Sequence, residues 1–435
     1  MSERTMKSWS VPFQDRIDGY SRNERCLNTG NMVPFVLTSL FISSIFGVFL
    51  LRSPYPLSAI MSTRGSDAVE KHFPEQQELG SANFKSKSQN EQKSCDLFKG
   101  RWVAAPRGSY YTSSSCRTIP DTKNCLKQGR KDSDFLNWKW KPEECELPRF
   151  DPKTFLDMVR GKKMAFIGDS VSRNHMESLL CLLSQEEIPK DIYEDPEDRF
   201  RKWYFAEHNF TLMSLWSRFL IVGEERITNG TGSSIFDMQL DKVDDDWATE
   251  FSDLDYAIIS DGHWFFRVLY LHEANKLKGC VYCHEPNITH YDIDFPIRMA
   301  FRSAFRYMSN SKRRVTLLVR TFAPSHFENG TWNTGGYCNR TSPMSEEEAD
   351  LESVEWKVRN VQIEEVERAR KEEGHRIGVV DVTRAMLMRA DGHPGEYWGN
   401  KWMKGYSDCT HWCMPGPIDA WNEFLLALLT REAWS

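Results

Sequence analysis

The sequence predicts an α/β fold: a parallel sheet with helices on both faces, a disulfide-linked N-terminal minor lobe before it, and a single transmembrane helix before that. Three observations predict it. From Asp151 onward short apolar runs alternate with helical stretches, and apolar strands separated by helices argue for a parallel sheet buried on both sides. Cys95, Cys116, Cys125 and Cys145 stand among Trp102, Tyr110, Tyr111, Trp138 and Trp140 with little periodicity. Residues 32–51 form a run of 20 without a charge, long enough to span a bilayer.

The elements follow in chain order. Residues 1–31 are polar and read as a cytosolic tail. The apolar run 32–51 lies too far from the start, and is too long, for a cleaved signal peptide, so it reads as a signal anchor. Residues 52–93, rich in Ser, Gln, Glu and Lys, read as a flexible stem. The minor lobe, residues 94–150, is expected to be loops and short strands held by disulfides. In 151–435 the strand candidates are Met164–Ile167, Tyr256–Ser260, Val315–Phe322 and Arg376–Val382. The helix candidates are Ser170–Leu183, the Arg298–Ser309 region, Ser345–Glu373 and Pro417–Thr430, the third read as a solvated outer helix. Pro417 suits a first helical position.

The compartment is legible too. Of eleven cysteines, all but Cys26 lie between Cys95 and Cys413, without a paired zinc pattern, which fits an oxidising compartment. Cys280 and Cys283 read as a small disulfide loop or two thiols rather than a zinc site. Sequons at Asn209, Asn229, Asn287, Asn329 and Asn339 all follow the apolar span. Both features place residues 52–435 in the secretory lumen. The net charge of −6 and pI near 6.1 give no footprint for nucleic acid.

Chemistry centres on Gly168-Asp169-Ser170. The strand 164–167 breaks at the glycine, and Met176, Leu179, Leu180 and Leu183 mark a helix beyond it. Ser170 therefore sits where a strand turns into a helix, at the carboxyl end where ligands of parallel sheets bind. Unpartnered N–H groups of a helix start could receive an oxyanion there. A plain helix cap explains Asp and Ser equally well on this evidence alone. A serine nucleophile needs a base and an orienting group. Asp408-Cys-Thr-His411-Trp-Cys413 can supply both, three residues apart in a turn pinned by cysteines, the alternative being a disulfide-knotted loop with a capping Asp. His263 and Trp264, after the second strand, are expected to border an acceptor site or to form a packed corner. His393, an alternative to His411 in the triad, is expected instead to fix a loop or line the groove, and Trp412 to stack on a sugar or cover the disulfides. His175 is given no catalytic role.

Gly168-Asp169-Ser170 with Asp408-x-x-His411 resembles the GDSL/SGNH esterase and acyltransferase pattern. Cys95-Asp-Leu-Phe-Lys-Gly-Arg-Trp-Val103, Asn137-Trp138-Lys-Trp140, Gly168-Asp-Ser-Val-Ser-Arg-Asn-His175, Gly262-His-Trp264 and Asp408-Cys-Thr-His-Trp-Cys413 are similar, in that order, to the plant trichome birefringence-like proteins, Golgi polysaccharide O-acetyltransferases. Arg320-Thr-Phe-Ala-Pro-Ser-His-Phe-Glu328 and Gly335-Gly336-Tyr-Cys338-Asn-Arg340 resemble most the members that acetylate xyloglucan, with mannan-acetylating relatives close by.

The resemblance implies an SGNH-hydrolase-like sheet. It implies Ser170 as nucleophile, His411 as base and acid, and Asp408 as the orienting carboxylate. Oxyanion donors would be Ser170 N–H with Arg173 or Asn174; Gly262 N–H is a further candidate, since Ser260-Asp261 stands where relatives often carry an Asn. It implies the disulfides Cys95–Cys145, Cys116–Cys181, Cys125–Cys413 and Cys338–Cys409. No metal and no resident cofactor are expected, the acetyl donor being a co-substrate, acetyl-CoA or a membrane acetyl carrier. The implied partners are a wall polysaccharide, the Golgi membrane in single-pass type II topology, and a membrane acetyl-donating protein. Alternatives are a polysaccharide acetyl esterase and a non-catalytic glycan-binding protein.

Overall fold

Seven strands make the sheet that carries the site. The computed structural model describes residues 95–431 apart from 107, 375 and 400–404. The tail 1–31, the anchor 32–51 and the stem 52–93 lie outside the described residues, as do 432–435. Among the described residues no helix is long and apolar enough to cross a membrane.

In chain order the elements are β1 (Gly100–Ala104), β2 (Trp138–Pro142), α1 (Pro152–Met158), β3 (Lys163–Gly168), α2 (Ser170–Leu183), β4 (Lys190–Glu194), β5 (Phe200–Phe205), β6 (Phe210–Trp216), β7 (Ile221–Thr228), β8 (Thr231–Val243), α3 (Asp245–Phe251) and β9 (Tyr256–Ser260). Then come β10 (Val268–Glu273), β11 (Lys276–Val281), α4 (Asp294–Ser309), β12 (Thr316–Arg320), α5 (Val354–Glu372), β13 (Ile377–Val380), α6 (Thr383–Leu387) and α7 (Asp419–Thr430). The main sheet runs β13-β12-β9-β3-β6-β5-β4. It is parallel from β13 to β6 and antiparallel at β5 and β4. A second sheet, β11-β10-β8-β7, and the β1–β2 pair complete the strands among the described residues.

Strand β3 shows why the sheet must be covered twice. Met164 and Phe166 enter one buried cluster with α2 and α7, while Ala165 and Ile167 enter another with α3, α4 and α5. Alternate side chains of a strand point to opposite faces, so an uninterrupted apolar run requires a helical layer on each side. The neighbours of β3 are β6 and β9, reached by excursions to opposite sides of it. Such a switch point opens a crevice at the carboxyl ends.

Several expectations are corrected here. The sheet is mixed rather than wholly parallel, and 190–281 holds strands that the sequence reading left unassigned. Their apolar alternation is interrupted by charged residues paired across the ladder, as in Arg226 with Asp237, and His272 with the same carboxylate. Helix α5 starts later than Ser345, at Val354 after the capping Ser353, and it is not merely a solvated outer helix. It buries Val358, Val361, Gln362 and Val366, together with Glu365, which is held by Arg298, Arg302 and Arg368.

The minor lobe has no core of its own. Leu97, Trp102, Tyr111 and Trp140 join the cluster under α2 and α7. The four disulfides implied by the resemblance are present, and Cys280 is joined to Cys283. His290 Nε2 lies 3.8 Å from Cys283 Sγ.

Candidate active site

Ser170 is the first residue of α2, and Asp169 is its N-cap. Asp169 is fully buried, and its Oδ1 accepts from Val171 N (2.9 Å) and Ser172 N (3.3 Å). Its Oδ2 accepts from His263 N (3.1 Å) and Nδ1 (2.9 Å), while His263 Nε2 meets Ala323 O at 2.9 Å. All the partners of that imidazole are acceptors, so both ring nitrogens donate. Burial alone would raise the Asp169 carboxyl, but the His263 charge, its hydrogen bonds and Arg320 hold it far below the usual carboxylate range. His263 thus ties the β9 turn to the nucleophile's cap, the packed corner of the two expected roles.

The turn at Gly168 is possible only for glycine. Its φ is +144°, and an added Cβ would lie 1.7 Å from Ser260 O on the adjacent β9. This close approach brings the β9 turn beside Ser170.

The base arrives from the far end of the chain. His411 Nε2 lies 2.8 Å from Ser170 Oγ, and His411 Nδ1 lies 2.8 Å from Asp408 Oδ2. Asp408 Oδ1 also accepts from Thr410 N (3.1 Å) and His411 N (2.9 Å). The carboxylate can only accept, so Nδ1 carries the proton and Nε2 presents a lone pair to the serine hydroxyl. Burial pushes the Asp408 carboxyl up, but His411 and those backbone donors win and hold it far below its ordinary value.

The loop bearing the base is fixed on every side. Cys409 is bonded to Cys338 and Cys413 to Cys125. Gly395 and Asp408 exchange backbone hydrogen bonds at 2.8 and 2.9 Å. Trp412 N donates to Asn174 Oδ1 (2.8 Å), so α2 holds both the nucleophile and the base's loop. His393 Nδ1 donates to His411 O (2.7 Å), and His393 Nε2 meets His326 Nδ1 at 2.7 Å. Burial pushes His326 down to about 4 and His393 well below its ordinary value.

Other expected residues divide. Arg173 Nη1 pairs with Asp198 (3.2 Å), while its buried Nε makes no hydrogen bond. Asn174 is buried; its Oδ1 braces Trp412, and its buried Nδ2 makes no hydrogen bond. Gly262 N–H already donates to Asp261 Oδ1 (2.6 Å), which corrects its assignment as an oxyanion donor. Trp412 is wholly buried and packs on His393 and Trp421, so it offers no face to a sugar. His175 stacks edge-on with Phe166 and Trp421 in the core. The five sequon asparagines are all exposed.

Sequence reasoning missed Arg320 and Gln362. Arg320, buried at the end of β12, donates to Ser260 Oγ (2.8 Å) and Thr321 O (2.9 Å) and supplies positive charge beside Asp169 and Asp261. Gln362 of α5 accepts from Phe322 N (2.7 Å) and donates to Asp261 O (2.9 Å), fixing two loops of the site at once. A charged residue closing the apolar run Leu317-Leu318-Val319 was the available signal for Arg320.

Residues 147–428 match the GDSL/SGNH-like acyl-esterase family found in Pmr5 and Cas1p, and residues 93–146 match the PMR5 N-terminal domain. The chain is 54% identical over 414 residues to xyloglucan O-acetyltransferase 4 of Populus trichocarpa, covering 94% of this chain and 95% of that protein. It is 57% identical over 351 residues to xyloglucan O-acetyltransferase 3 of the same species, covering 80% and 88%. To xyloglucan O-acetyltransferase 2 of Arabidopsis thaliana it is 48% identical over 433 residues, covering 98% and 100%. The chain therefore belongs to the GDSL/SGNH-like acyl-esterase family found in Pmr5 and Cas1p.

Proposed function

We propose that this protein is an O-acetyltransferase that moves acetyl groups onto hydroxyls of xyloglucan through an acetyl-serine. The observation that carries the reading is the hydrogen-bonded line Ser170–His411–Asp408 at the carboxyl end of β3. The names of the relatives, which span nearly the whole chain, support the acceptor.

His411 Nε2 takes the Ser170 proton as Oγ attacks the acetyl carbonyl, then returns it to the leaving group. The oxyanion is received by Ser170 N–H, the first-turn N–H that neither Asp169 Oδ1 nor the Asp169 carbonyl accepts, and by Arg173. Each such donor contributes about 3 kcal/mol. His411 next deprotonates a sugar hydroxyl, whose oxygen bonds to the acetyl carbon as the bond to Ser170 Oγ breaks, and His411 returns the proton to Oγ. Asp408 keeps the imidazole in the productive tautomer through both halves.

The test uses purified full-length protein, an acetyl donor and xyloglucan, mannan, xylan and pectin oligosaccharides. Wild-type protein acetylates xyloglucan and Ser170→Ala does not, with equal melting temperatures. Transfer by the Ser170→Ala protein defeats the scheme, and preference for mannan moves the acceptor. The family's acyl-esterase character favours one second reading, hydrolysis of the same intermediate by water. Acetate release that oligosaccharide fails to suppress would establish it.

The reading includes a single-pass type II Golgi anchor at 32–51 with residues 52–435 lumenal. The lumenal disulfides and exposed sequons support it. Protease protection of glycosylated protein in sealed vesicles tests it.

A further inference from the structure

Residues 326–338 leave the loop of the base and return to it. His326 N donates to Cys409 O (3.0 Å), and Cys338 is disulfide-bonded to the same Cys409, two residues before His411. Between these anchors Glu328 and Tyr337 exchange backbone hydrogen bonds at 2.7 and 3.0 Å, which closes a hairpin. Its tip is held by local bonds: Thr331 N donates to Thr334 Oγ1 (2.8 Å), and Thr331 O accepts from Thr334 N (3.2 Å) and Gly336 N (3.0 Å). Trp332 sits at that tip and is part-buried. Its ring centre lies 5.1 Å from Arg267 Cζ.

Arg267 belongs to the other side of the site. It follows the turn after β9, in which His263 holds Asp169, the cap of the nucleophile's helix. The contact of Trp332 with Arg267 therefore joins the base's side of Ser170 to the nucleophile's side and closes a rim beside the pair Ser170–His411. Trp264 props the guanidinium, with Arg267 Cζ 4.1 Å from its ring centre, and Trp216 and Phe236 pack edge-on against Trp264 with centroids 6.0 Å away. Trp264 thus serves the turn. The ring of Trp332 has Arg267 as its partner among the described residues, and its unbonded indole N–H is open to solvent.

A flat apolar face beside a few directed donors suits a sugar ring, whose C–H face covers the indole while its hydroxyls take the donors at the edge. Among the described residues Arg267 makes no ion pair. Its one hydrogen bond is a long one to His263 O (3.5 Å), and its other N–H groups reach solvent. Burial lowers it to about 10, with Arg218 acting in the same sense and Glu225 and Asp169 against, so it stays protonated in neutral solution. Because those two carboxylates already act on its charge, what it offers a ligand is a planar set of donors held between two indoles. A neutral glycan matches that offer.

We infer that Trp332, set in place by Arg267, is the platform on which the acceptor glycan stacks a sugar ring beside the acetyl-serine. The inference rests on the acetyl-transfer reading above and names the acceptor's seat within it. Arg267 donates to hydroxyls of the stacked ring, and the Cys338–Cys409 bond ties the platform to the loop that carries His411.

The experiment uses full-length wild-type, Trp332→Ala, Trp332→Phe and Arg267→Gln proteins. Ser170 is loaded from 4-nitrophenyl acetate, acetyl-serine is followed by intact mass, and transfer to a xyloglucan oligosaccharide is followed by product mass. The ratio of kcat/KM for transfer to the rate constant for loading should fall by about tenfold or more in Trp332→Ala and Arg267→Gln, through KM. Trp332→Phe, which keeps a flat ring, should restore most of it, and Arg267→Gln carries the test if Trp332→Ala does not fold. Ratios within about twofold of wild type overturn the inference. So does a fall confined to kcat, which marks a structural role for the hairpin. Slower loading with an unchanged ratio overturns it too and gives the pair to the acetyl donor. If wild-type protein forms no acetyl-serine, or forms it and leaves xyloglucan unmodified, the parent reading fails instead. Calorimetric titration of Ser170→Ala protein with the same oligosaccharide then still decides the platform. Affinity weakened about tenfold or more by adding Trp332→Ala supports it; affinity unchanged by that substitution, or no binding, overturns it.

Discussion

In the proposed mechanism the Asp408 carboxylate decides whether the serine can react. As an acid anion it can only accept, so His411 must keep its proton on Nδ1 and offer Nε2 to Ser170. Asp408→Asn puts an amide donor against Nδ1 and inverts the tautomer. The expected loss in acetyl-serine formation is about 10³- to 10⁴-fold, with melting temperature nearly unchanged, because Asn can still accept from the amides of Thr410 and His411. A loss under tenfold would show that the carboxylate does not set the tautomer. Gly168 is constrained just as locally. Its backbone conformation and the 1.7 Å clash of any Cβ with Ser260 O predict that Gly168→Ala costs about 2–4 kcal/mol and activity with it. An alanine variant melting like wild type would contradict this. These positions were legible because their chemistry is written in adjacent residues: a glycine, a cap, a serine, then Asp and His three apart. His263 was harder. Its partner Asp169 is 94 residues away, and only the fold shows that its ring faces inward.

Helix α7 carries two acids whose burial is read out by pH. Asp419 Oδ1 accepts from Tyr111 (2.7 Å) and Ser178 (2.6 Å), and Glu423 accepts from Tyr110. Burial raises Asp419 to about 6 and Glu423 to about 7, against the hydrogen bonds that favour the anions. Raised folded values mean that the native state holds protons the unfolded chain has released. Stability contributed by the protonated forms is present at pH 4 and falls as pH rises through 6 to 7. A shift of about two units at Asp419 corresponds to about 3 kcal/mol, and Glu423, which keeps some contact with water, contributes less. Urea unfolding of Asp419→Asn/Glu423→Gln protein should therefore gain on wild type between pH 4.5 and 7.5; parallel pH curves would refute this. Asp169 and Asp408 act in the opposite sense below about pH 4, where both proteins lose them alike. The start of α5 was misplaced by the polar run from Ser345 to Ser353, which suits either a cap or a first turn, and that of this helix by Pro417, read as its first residue although the helix begins at Asp419. Strands β7 and β8 escaped notice because half of each faces water, and their charges pair across the ladder rather than along the sequence.

The whole molecule divides in sequence where it does not divide in packing. Family matches separate near residue 146, and a cysteine-rich lobe followed by an α/β body was the natural reading of the composition. Yet Trp102 Nε1 donates to Ala385 O (2.7 Å), Trp140 packs its edge on Phe424, and Tyr111 reaches Asp419. Two disulfides, Cys116–Cys181 and Cys125–Cys413, fasten the lobe to α2 and to the loop of the base. Lys123 O accepts from Met414 N (2.8 Å), and Arg130 donates to the carbonyls of Asp391 and His393. The lobe is thus a wall of the core and a buttress for His411. Removing it would uncover the faces of α2 and α7 that Leu97, Trp102, Tyr111 and Trp140 bury. At about 2 kcal/mol for each such side chain, the loss rivals the net stability of about 5–15 kcal/mol typical of a native protein. A fragment beginning at residue 151 is therefore expected to aggregate or to lack near-ultraviolet circular dichroism, while one beginning at residue 94 folds and forms acetyl-serine. If the shorter fragment proves monomeric, cooperatively folded and active, the lobe is an accessory and His411 is positioned by the α/β body alone. If it folds but is inactive, the lobe's role is confined to holding the 408–413 loop, and restoring residues 94–150 as a separate chain under oxidising conditions should return activity through the Cys125–Cys413 bond.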